Sequence, residues 1–182
     1  MVEPAEMVIM KILSSATNII AEGEVLQLLN LNDPEVDEQR YRQVILYKTA
    51  KLFEASAELG AVLAKASAPL TQASAQFGNH IGVTFQLVDD WLDYSADAFA
   101  MGKNTGDDLR EGKRTVLVAM TLENSSTGAV TRFMSSFGSS ELSSNDVETL
   151  REIIIESGAR SRVEELIDSR TSSALEALGH GE

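Results

Sequence analysis

The chain contains the run Phe85-Gln86-Leu87-Val88-Asp89-Asp90-Trp91-Leu92-Asp93, in which three aspartates fall within five residues of an otherwise helical pattern. On a helical wheel of about 100° per residue, Asp89 and Asp93 stack one turn apart with Asp90 beside them, opposite an apolar side that carries Phe85. Like charges at this spacing destabilise a helix, and a divalent cation removes that penalty. The pattern therefore indicates either a carboxylate site for Mg²⁺ or the solvated face of an amphipathic helix.

A loop rich in glycine, lysine and aspartate follows, Gly102-Lys103-Asn104-Thr105-Gly106-Asp107-Asp108-Leu109-Arg110-Glu111-Gly112-Lys113. Glycines let the backbone approach an anion, and Lys103 and Lys113 supply mobile positive charge to phosphate. Acidic groups for a metal and basic groups for phosphate thus lie close together in the sequence. They favour a metal-bridged diphosphate site over the solvated face.

These two segments resemble the second aspartate-rich motif of the trans-polyprenyl diphosphate synthases. The resemblance is greatest to the long-chain bacterial type that makes quinone side chains, such as octaprenyl or solanesyl diphosphate synthase. Further matches are Ala21-Glu22-Gly23-Glu24-Val25-Leu26-Gln27-Leu28 and Tyr47-Lys48-Thr49-Ala50. One departure is Leu117, where the family usually carries a proline, and it removes no catalytic group. The resemblance implies an all-α fold, the isoprenoid synthase-type helical bundle.

The resemblance also implies roles for individual residues. Asp89 is expected to bind Mg²⁺ directly, with Asp90 and Asp93 completing the metal cluster. Catalytic roles are implied for Asp89, Asp90, Lys48 and Lys103. Substrate binding is implied for Glu24, Gln27, Lys48, Thr49, Phe85, Gln86, Lys103, Asp107, Asp108 and Lys113.

The reaction that the resemblance implies condenses isopentenyl diphosphate with an allylic prenyl diphosphate, in isoprenoid and quinone side-chain biosynthesis. The allylic C–O bond ionises, the double bond of isopentenyl diphosphate attacks the carbocation, and a proton is lost. Mg²⁺, the expected cofactor, and lysines neutralise the leaving diphosphate. A dry apolar helix bundle shields the cation.

The family carries two aspartate-rich motifs, and this sequence contains only the second. We therefore interpret residues 1–182 as a single partial domain, the C-terminal part of a synthase without its N-terminal helices, inactive alone and homodimeric when full-length. A non-catalytic partner subunit of a heteromeric prenyl synthase is the alternative, although such a subunit need not keep an intact acidic motif. A related terpene-type enzyme is disfavoured by Lys48-Thr49 and by the long-chain type of loop that begins at Gly102.

The composition argues against several other classes of protein. The formal net charge of -13 disfavours nucleic-acid binding and gives no polybasic membrane anchor. The absence of cysteine excludes disulfides and thiolate catalysis, and two histidines disfavour a multi-histidine metal centre. No apolar run is long enough to span a bilayer and no secretion signal is visible, so we expect a cytoplasmic protein without a transmembrane segment.

Apolar periodicity predicts helices over residues 1–31, 36–65, 72–97, 113–124, 130–137, 146–157 and 159–178, with a loop over residues 98–112. We interpret His80 as structural because no second ligand lies at metal-binding spacing. In the second predicted helix the core candidates are Tyr41, Val44, Ile45, Leu52, Leu59 and Leu63.

Overall fold

The computed structural model describes residues 5–31, 33, 36–94 and 106–179. Every regular element in these ranges is helical, which confirms the all-α prediction. None of the helices in these ranges combines the length and apolarity needed to cross a bilayer. In chain order the elements are α1 (Ala5–Asn30), α2 (Glu38–Ile45), a π-helical turn (Leu46–Ala50), α3 (Lys51–Leu63), α4 (Ala68–Asp93), α5 (Asp107–Glu111), α6 (Val116–Asn124), α7 (Thr127–Met134), α8 (Ser144–Glu156) and α9 (Ala159–Gly179).

Side chains beside the helix ends explain several boundaries. The hydroxyl of Thr115 accepts a hydrogen bond from the backbone N–H of Val118 and so caps α6. Ser143 and Asp146 form a reciprocal capping box at the start of α8. Gly158, with a φ of 75°, separates α8 from α9, as the sequence predicts.

Two predicted elements differ from the structure. The helix predicted over residues 36–65 is interrupted by the π-helical turn, which inserts a residue that a 3.6-residue period does not register. The loop predicted over residues 98–112 contains the short helix α5, which begins after Gly106 and ends before Gly112, both in left-handed backbone. Residues 95–97 of the predicted central helix lie outside the described residues.

The chain folds as two compact units. Within the described residues, the first unit comprises 5–27, 43–86 and 167–179, and the second comprises 28–42, 87–94 and 106–166. In the first unit α3 and α4 approach closely, because a Cβ on Gly78 would lie 2.5 Å from the carbonyl oxygen of Phe53. The second unit has the larger apolar side chains in its core, since Leu117, Phe133, Leu150, Ile154 and Val163 are at most 1% exposed.

The core candidates of the second predicted helix differ in burial before and after the π-helical turn. Before the turn, Tyr41, Val44 and Ile45 are buried as predicted. After it, Leu52 and Leu63 are 56% and 68% exposed, so their prediction is wrong. An inserted residue rotates all later positions by about 100° around the helix axis, which explains why the predicted face fails beyond the turn.

Candidate active site

The acidic run lies at the C-terminal end of α4, and its three aspartates differ in exposure. Asp89 and Asp93 are half-buried, one helical turn apart, whereas Asp90 is completely buried. Burial therefore separates Asp90 from the other two, although the wheel puts all three on one side. Phe85 lies on the apolar side of the wheel and is nevertheless 56% exposed. A wheel gives angles around one helix and contains no information on which neighbours cover each angle.

Two side chains of the second unit engage Asp90. The phenol of Tyr41, on α2, donates a hydrogen bond to Oδ2. The Nζ atom of Lys113 lies 2.9 Å from Oδ1. Burial, followed by the nearby charge of Asp90, raises the pKa of Tyr41 well above its usual value, so the phenol stays a donor. Both carboxylate oxygens of Asp90 therefore accept hydrogen bonds from within the protein.

Lys113 is fixed by two carboxylates and is not the mobile cation that the loop composition predicts. Its Nζ atom also donates to both oxygens of Asp108, at 3.2 and 3.1 Å, and its side chain is only 20% exposed. Burial alone lowers the pKa of Lys113, but Asp90 and Asp108 outweigh it and raise that pKa above its usual value. The ammonium therefore keeps its charge although it is largely removed from solvent.

Asp93 joins the end of α4 to the start of α5. Its carboxylate accepts a hydrogen bond from the backbone N–H of Asp108 at 3.2 Å, and its carbonyl accepts one from Gly106, also at 3.2 Å. Burial raises the pKa of Asp93, and burial raises that of Asp108 to about 7 despite the opposing effect of Lys113. Asp107 is more exposed and pairs with Arg110 at 3.3 Å.

The donor set around Asp89 and Asp93 suits Mg²⁺. This ion takes hard oxygen ligands, keeps several waters, and is commonly held by one or two carboxylates together with substrate phosphates. Asp89 and Asp93 provide two partly exposed carboxylates one turn apart, whereas Asp90 is completely buried. Among the described residues, no group of three or more His, Cys, Asp or Glu side chains is arranged to hold a metal ion by itself. The fit is therefore to a two-carboxylate site completed by ligand oxygens.

The first unit brings together another set of the residues that the motifs single out. Lys48, in the π-helical turn, lies 2.7 Å from a carboxylate oxygen of Glu24 and also donates a hydrogen bond to Gln27. The hydroxyl of the next residue, Thr49, donates to the side-chain oxygen of Gln86 at 2.9 Å. The turn thus presents a lysine and a hydroxyl from consecutive residues.

Two aromatic rings of the first unit lie close to this set in the sequence. The ring centroids of Phe53 and Phe85 are 5.3 Å apart, a distance at which aromatic side chains attract. Phe85 directly precedes Gln86 in the sequence. The two rings therefore contact each other in the first unit and form an apolar surface that is partly exposed to solvent.

Two features of these sets depend on contacts between residues far apart in the sequence. Tyr41 was a core candidate only, and its hydrogen bond to Asp90 could have been suspected because a buried phenol usually finds a polar partner. Gly23 lies against the backbone of Lys48, a contact that no local pattern in the sequence identifies. Lys103, to which a catalytic role was assigned, lies outside the described residues.

Comparisons with known proteins extend these observations. Residues 1–154 match the family described as Polyprenyl synthetase. The chain is 49% identical over 108 residues to the octaprenyl diphosphate synthase of Escherichia coli (strain K12), an alignment that covers 59% of this chain and 33% of that protein.

Two solved structures share the fold. The polyprenyl synthase of Caulobacter crescentus CB15, complexed with calcium and isoprenyl diphosphate, has a TM-score of 0.87 and 37% identity over 95% of this chain and 53% of that chain. The geranylgeranyl pyrophosphate synthase of Corynebacterium glutamicum, complexed with isoprenyl diphosphate and magnesium, has a TM-score of 0.91 and 31% identity over 98% of this chain and 51% of that chain. The chain thus spans about half the length of these two proteins.

Proposed function

Because the chain belongs to the polyprenyl synthetase family, we propose that it supplies the acidic and basic groups of an all-trans polyprenyl diphosphate synthase. Its substrates are isopentenyl diphosphate and an allylic prenyl diphosphate. The reaction breaks the allylic C–O bond, forms a C–C bond, and releases diphosphate and a proton. The observation that carries the proposal is the pair of half-buried carboxylates, Asp89 and Asp93, in the same unit as a lysine that two further aspartates keep charged.

A divalent cation is part of the proposal. When bound, Mg²⁺ would neutralise the leaving diphosphate, and Asp89 and Asp93 are the residues that would hold it. Two proteins of the same fold were solved with isoprenyl diphosphate and calcium or magnesium, which supports this cofactor. In this proposal Asp90 anchors Lys113, whereas the resemblance implies a place for it in the metal cluster.

The lysines bind the diphosphate of the substrates. Lys113 is held as a cation by Asp90 and Asp108, so it stabilises negative charge on phosphate oxygens without first having to be ordered. Lys48 exchanges Glu24 for a diphosphate oxygen when the substrate binds. The resemblance implies the same role for Lys103.

The remaining groups orient the reacting carbons. The hydroxyl of Thr49 and the amide of Gln86 are bonded to each other and contact the substrate next to its diphosphate. The rings of Phe53 and Phe85 form part of the apolar wall that excludes water from the carbocation. Asp107 and Asp108 orient the loop that carries Lys113.

A chain that completes the family fold tests the proposal. Residues 1–182 are joined to the half of the Caulobacter crescentus polyprenyl synthase that has no counterpart here, and this protein is called the completed chain below. Purified with Mg²⁺, it is assayed for transfer of labelled isopentenyl diphosphate to an allylic diphosphate, with the Caulobacter enzyme as positive control. We expect prenyl products that disappear in Asp89→Ala. A folded completed chain without any product would contradict the proposal.

The non-catalytic partner subunit remains the second candidate, because the sequence carries one aspartate-rich motif instead of two. Product from the completed chain whose amount does not change in Asp89→Ala would favour this second function. Assembly as a homodimer and a cytoplasmic location stay predictions from the sequence.

A further inference from the structure

The π-helical turn that carries Lys48 and Thr49 is contacted by two glycines. The turn is a true insertion, since the backbone N–H of Lys51 bonds to the carbonyl of Leu46, five residues earlier. On α1, a Cβ placed on Gly23 would lie 2.5 Å from the backbone nitrogen of Lys48. On α4, a Cβ placed on Gly82 would lie 2.6 Å from the Cα of Ala50. Neither position has room for a side chain.

The clashing atoms belong to the backbone of the turn, so they cannot rotate away as a flexible side chain would. Besides the nitrogen of Lys48, the Cβ on Gly23 would meet the carbonyl carbon of Tyr47 at 2.8 Å. Real Cβ atoms essentially never approach another heavy atom this closely. Any side chain at either glycine therefore forces the turn itself to move.

Each glycine lies four residues before a glutamine whose side-chain amide accepts a hydrogen bond from the π-helical turn. Gly23 precedes Gln27, which accepts the hydrogen bond of Lys48. Gly82 precedes Gln86, which accepts the hydrogen bond of Thr49. Residues four apart lie on one face of a helix. The glycine of each helix therefore contacts the π-helical turn through its backbone, and the glutamine four residues later contacts the same turn through its side-chain amide.

We propose that Gly23 and Gly82 are positioning residues: their contacts hold the π-helical turn so that Lys48 and Thr49 point to the places where a diphosphate ligand needs them. The identity of the ligand rests on the proposed function, whereas the positioning does not. A π-helical turn is less favourable than continued α-helix. If the turn converts to α-helix, one of the two flanking helices, α2 or α3, rotates by about 100° about the helix axis. Lys48 then leaves Glu24 and Gln27, and Thr49 leaves Gln86.

The test measures the chemical reactivity of Lys48 in the 182-residue chain. A limiting acylating reagent modifies lysines under native conditions, and mass spectrometry gives the rate for each one. Gly23→Ala and Gly82→Ala are compared with Gly60→Ala, an exposed helical glycine on α3 whose Cβ would meet nothing within 4 Å. Lys51, which is 19% exposed and bonded to Glu54 in the same unit, reports any general loosening.

We expect the rate of Lys48 to rise about two- to fivefold in Gly23→Ala, the factor that corresponds to losing a partly exposed ion pair. Gly82→Ala acts on the other end of the turn and raises the same rate, whereas Lys51 and the Gly60→Ala variant keep the rates of the unsubstituted chain. Glu24→Ala sets the scale, because it removes the ion pair of Lys48 without a change in the backbone. An unchanged rate of Lys48 in both glycine variants, or an equal rise of Lys51, overturns the inference. Loss of the fold in both variants, with Gly60→Ala folded, also overturns it, because the glycines would then serve the whole unit.

A second arm separates this inference from the proposed function. Inorganic diphosphate with Mg²⁺ is added to the completed chain, without further substitution, before the reagent. Protection of Lys48 supports its role toward diphosphate. Absence of protection, combined with the expected rise in the glycine variants, counts against the proposed ligand and leaves the positioning role intact.

Discussion

The Nζ atom of Lys113 lies 2.9 Å from Oδ1 of Asp90, a carboxylate that has no exposed surface. The neighbouring Asp89 is half-buried. Two aspartates adjacent in the sequence therefore differ in burial, one without exposed surface and one partly exposed to solvent. This difference separates the group that would hold a metal from the group that holds a lysine in place.

The first prediction concerns stability. Asp90→Asn removes one of the two carboxylates that pair with a largely buried ammonium. Breaking a buried ion pair completely costs about 3–5 kcal/mol, so we expect a clear but smaller loss because Asp108 remains as a partner. The matched variant Asp89→Asn changes a half-buried carboxylate outside this ion pair, and we expect it to lower the free energy of unfolding by less than Asp90→Asn does. Urea unfolding of the 182-residue chain without Mg²⁺ measures both. Equal losses in the two variants would show that Asp90 is not the anchor described here.

The second prediction concerns pH. The pKa of Asp108 is raised from 3.8 to about 7, chiefly by burial, so the folded chain retains a proton that the unfolded chain releases. Its contribution to stability is complete below about pH 4 and is lost as the pH rises through about 7. One proton changes the free energy of unfolding by about 1.4 kcal/mol per pH unit. We expect the fall in stability between about pH 5 and about pH 7 to be shallower in Asp108→Asn than in the unsubstituted chain.

Asp107→Asn is the control for this pH dependence, because Asp107 is adjacent to Asp108 but 54% exposed. Urea unfolding in EDTA at several pH values measures the slope for each variant. The Asp107→Asn variant should keep the slope of the unsubstituted chain. Identical slopes in all three proteins would mean that Asp108 titrates like an ordinary surface carboxyl.

Sequence reasoning reached the family and the all-α class because several motifs occur in the family's order, and both are confirmed. It did not reach the burial of Asp90, since the partners that cover it come from Tyr41, 49 residues earlier, and Lys113, 23 residues later. The π-helical turn could not be predicted either, because a pattern read at 3.6 residues per turn does not reveal an inserted residue. Local periodicity specified the helices, and long-range contacts decided which faces are covered.

The third prediction concerns turnover by the 182-residue chain alone. The sequence carries one aspartate-rich motif, and three aspartates of which one is buried cannot hold the cations that a diphosphate leaving group requires. We expect the purified chain to transfer little or no isopentenyl diphosphate at saturating Mg²⁺, while the completed chain is active. Comparable rates for the two proteins would show that the second motif is sufficient.

The fourth prediction compares a proposed metal ligand with a lysine. In the completed chain, we expect kcat to fall more in Asp89→Ala than in Lys113→Ala. Removing a preorganised charge-stabilising group costs about 10²–10³ in rate, and loss of the ion itself costs at least that much. Lys103 lies near Lys113 in the sequence and is expected to replace part of its charge. A near-normal kcat in Asp89→Ala, together with a large loss in Lys113→Ala, would exclude Asp89 as the ligand.

The most direct test is a Mg²⁺ titration of prenyl transfer by the completed chain carrying Asp89→Asn or Asp90→Asn. The Mg²⁺ concentration at half-maximal rate does not depend on the fraction of folded protein, so loss of stability does not obscure it. We predict that this concentration rises at least about tenfold in Asp89→Asn, as expected when a metal site is damaged, and stays unchanged in Asp90→Asn. A rise in Asp90→Asn that equals or exceeds the rise in Asp89→Asn would contradict the division between metal ligand and lysine anchor.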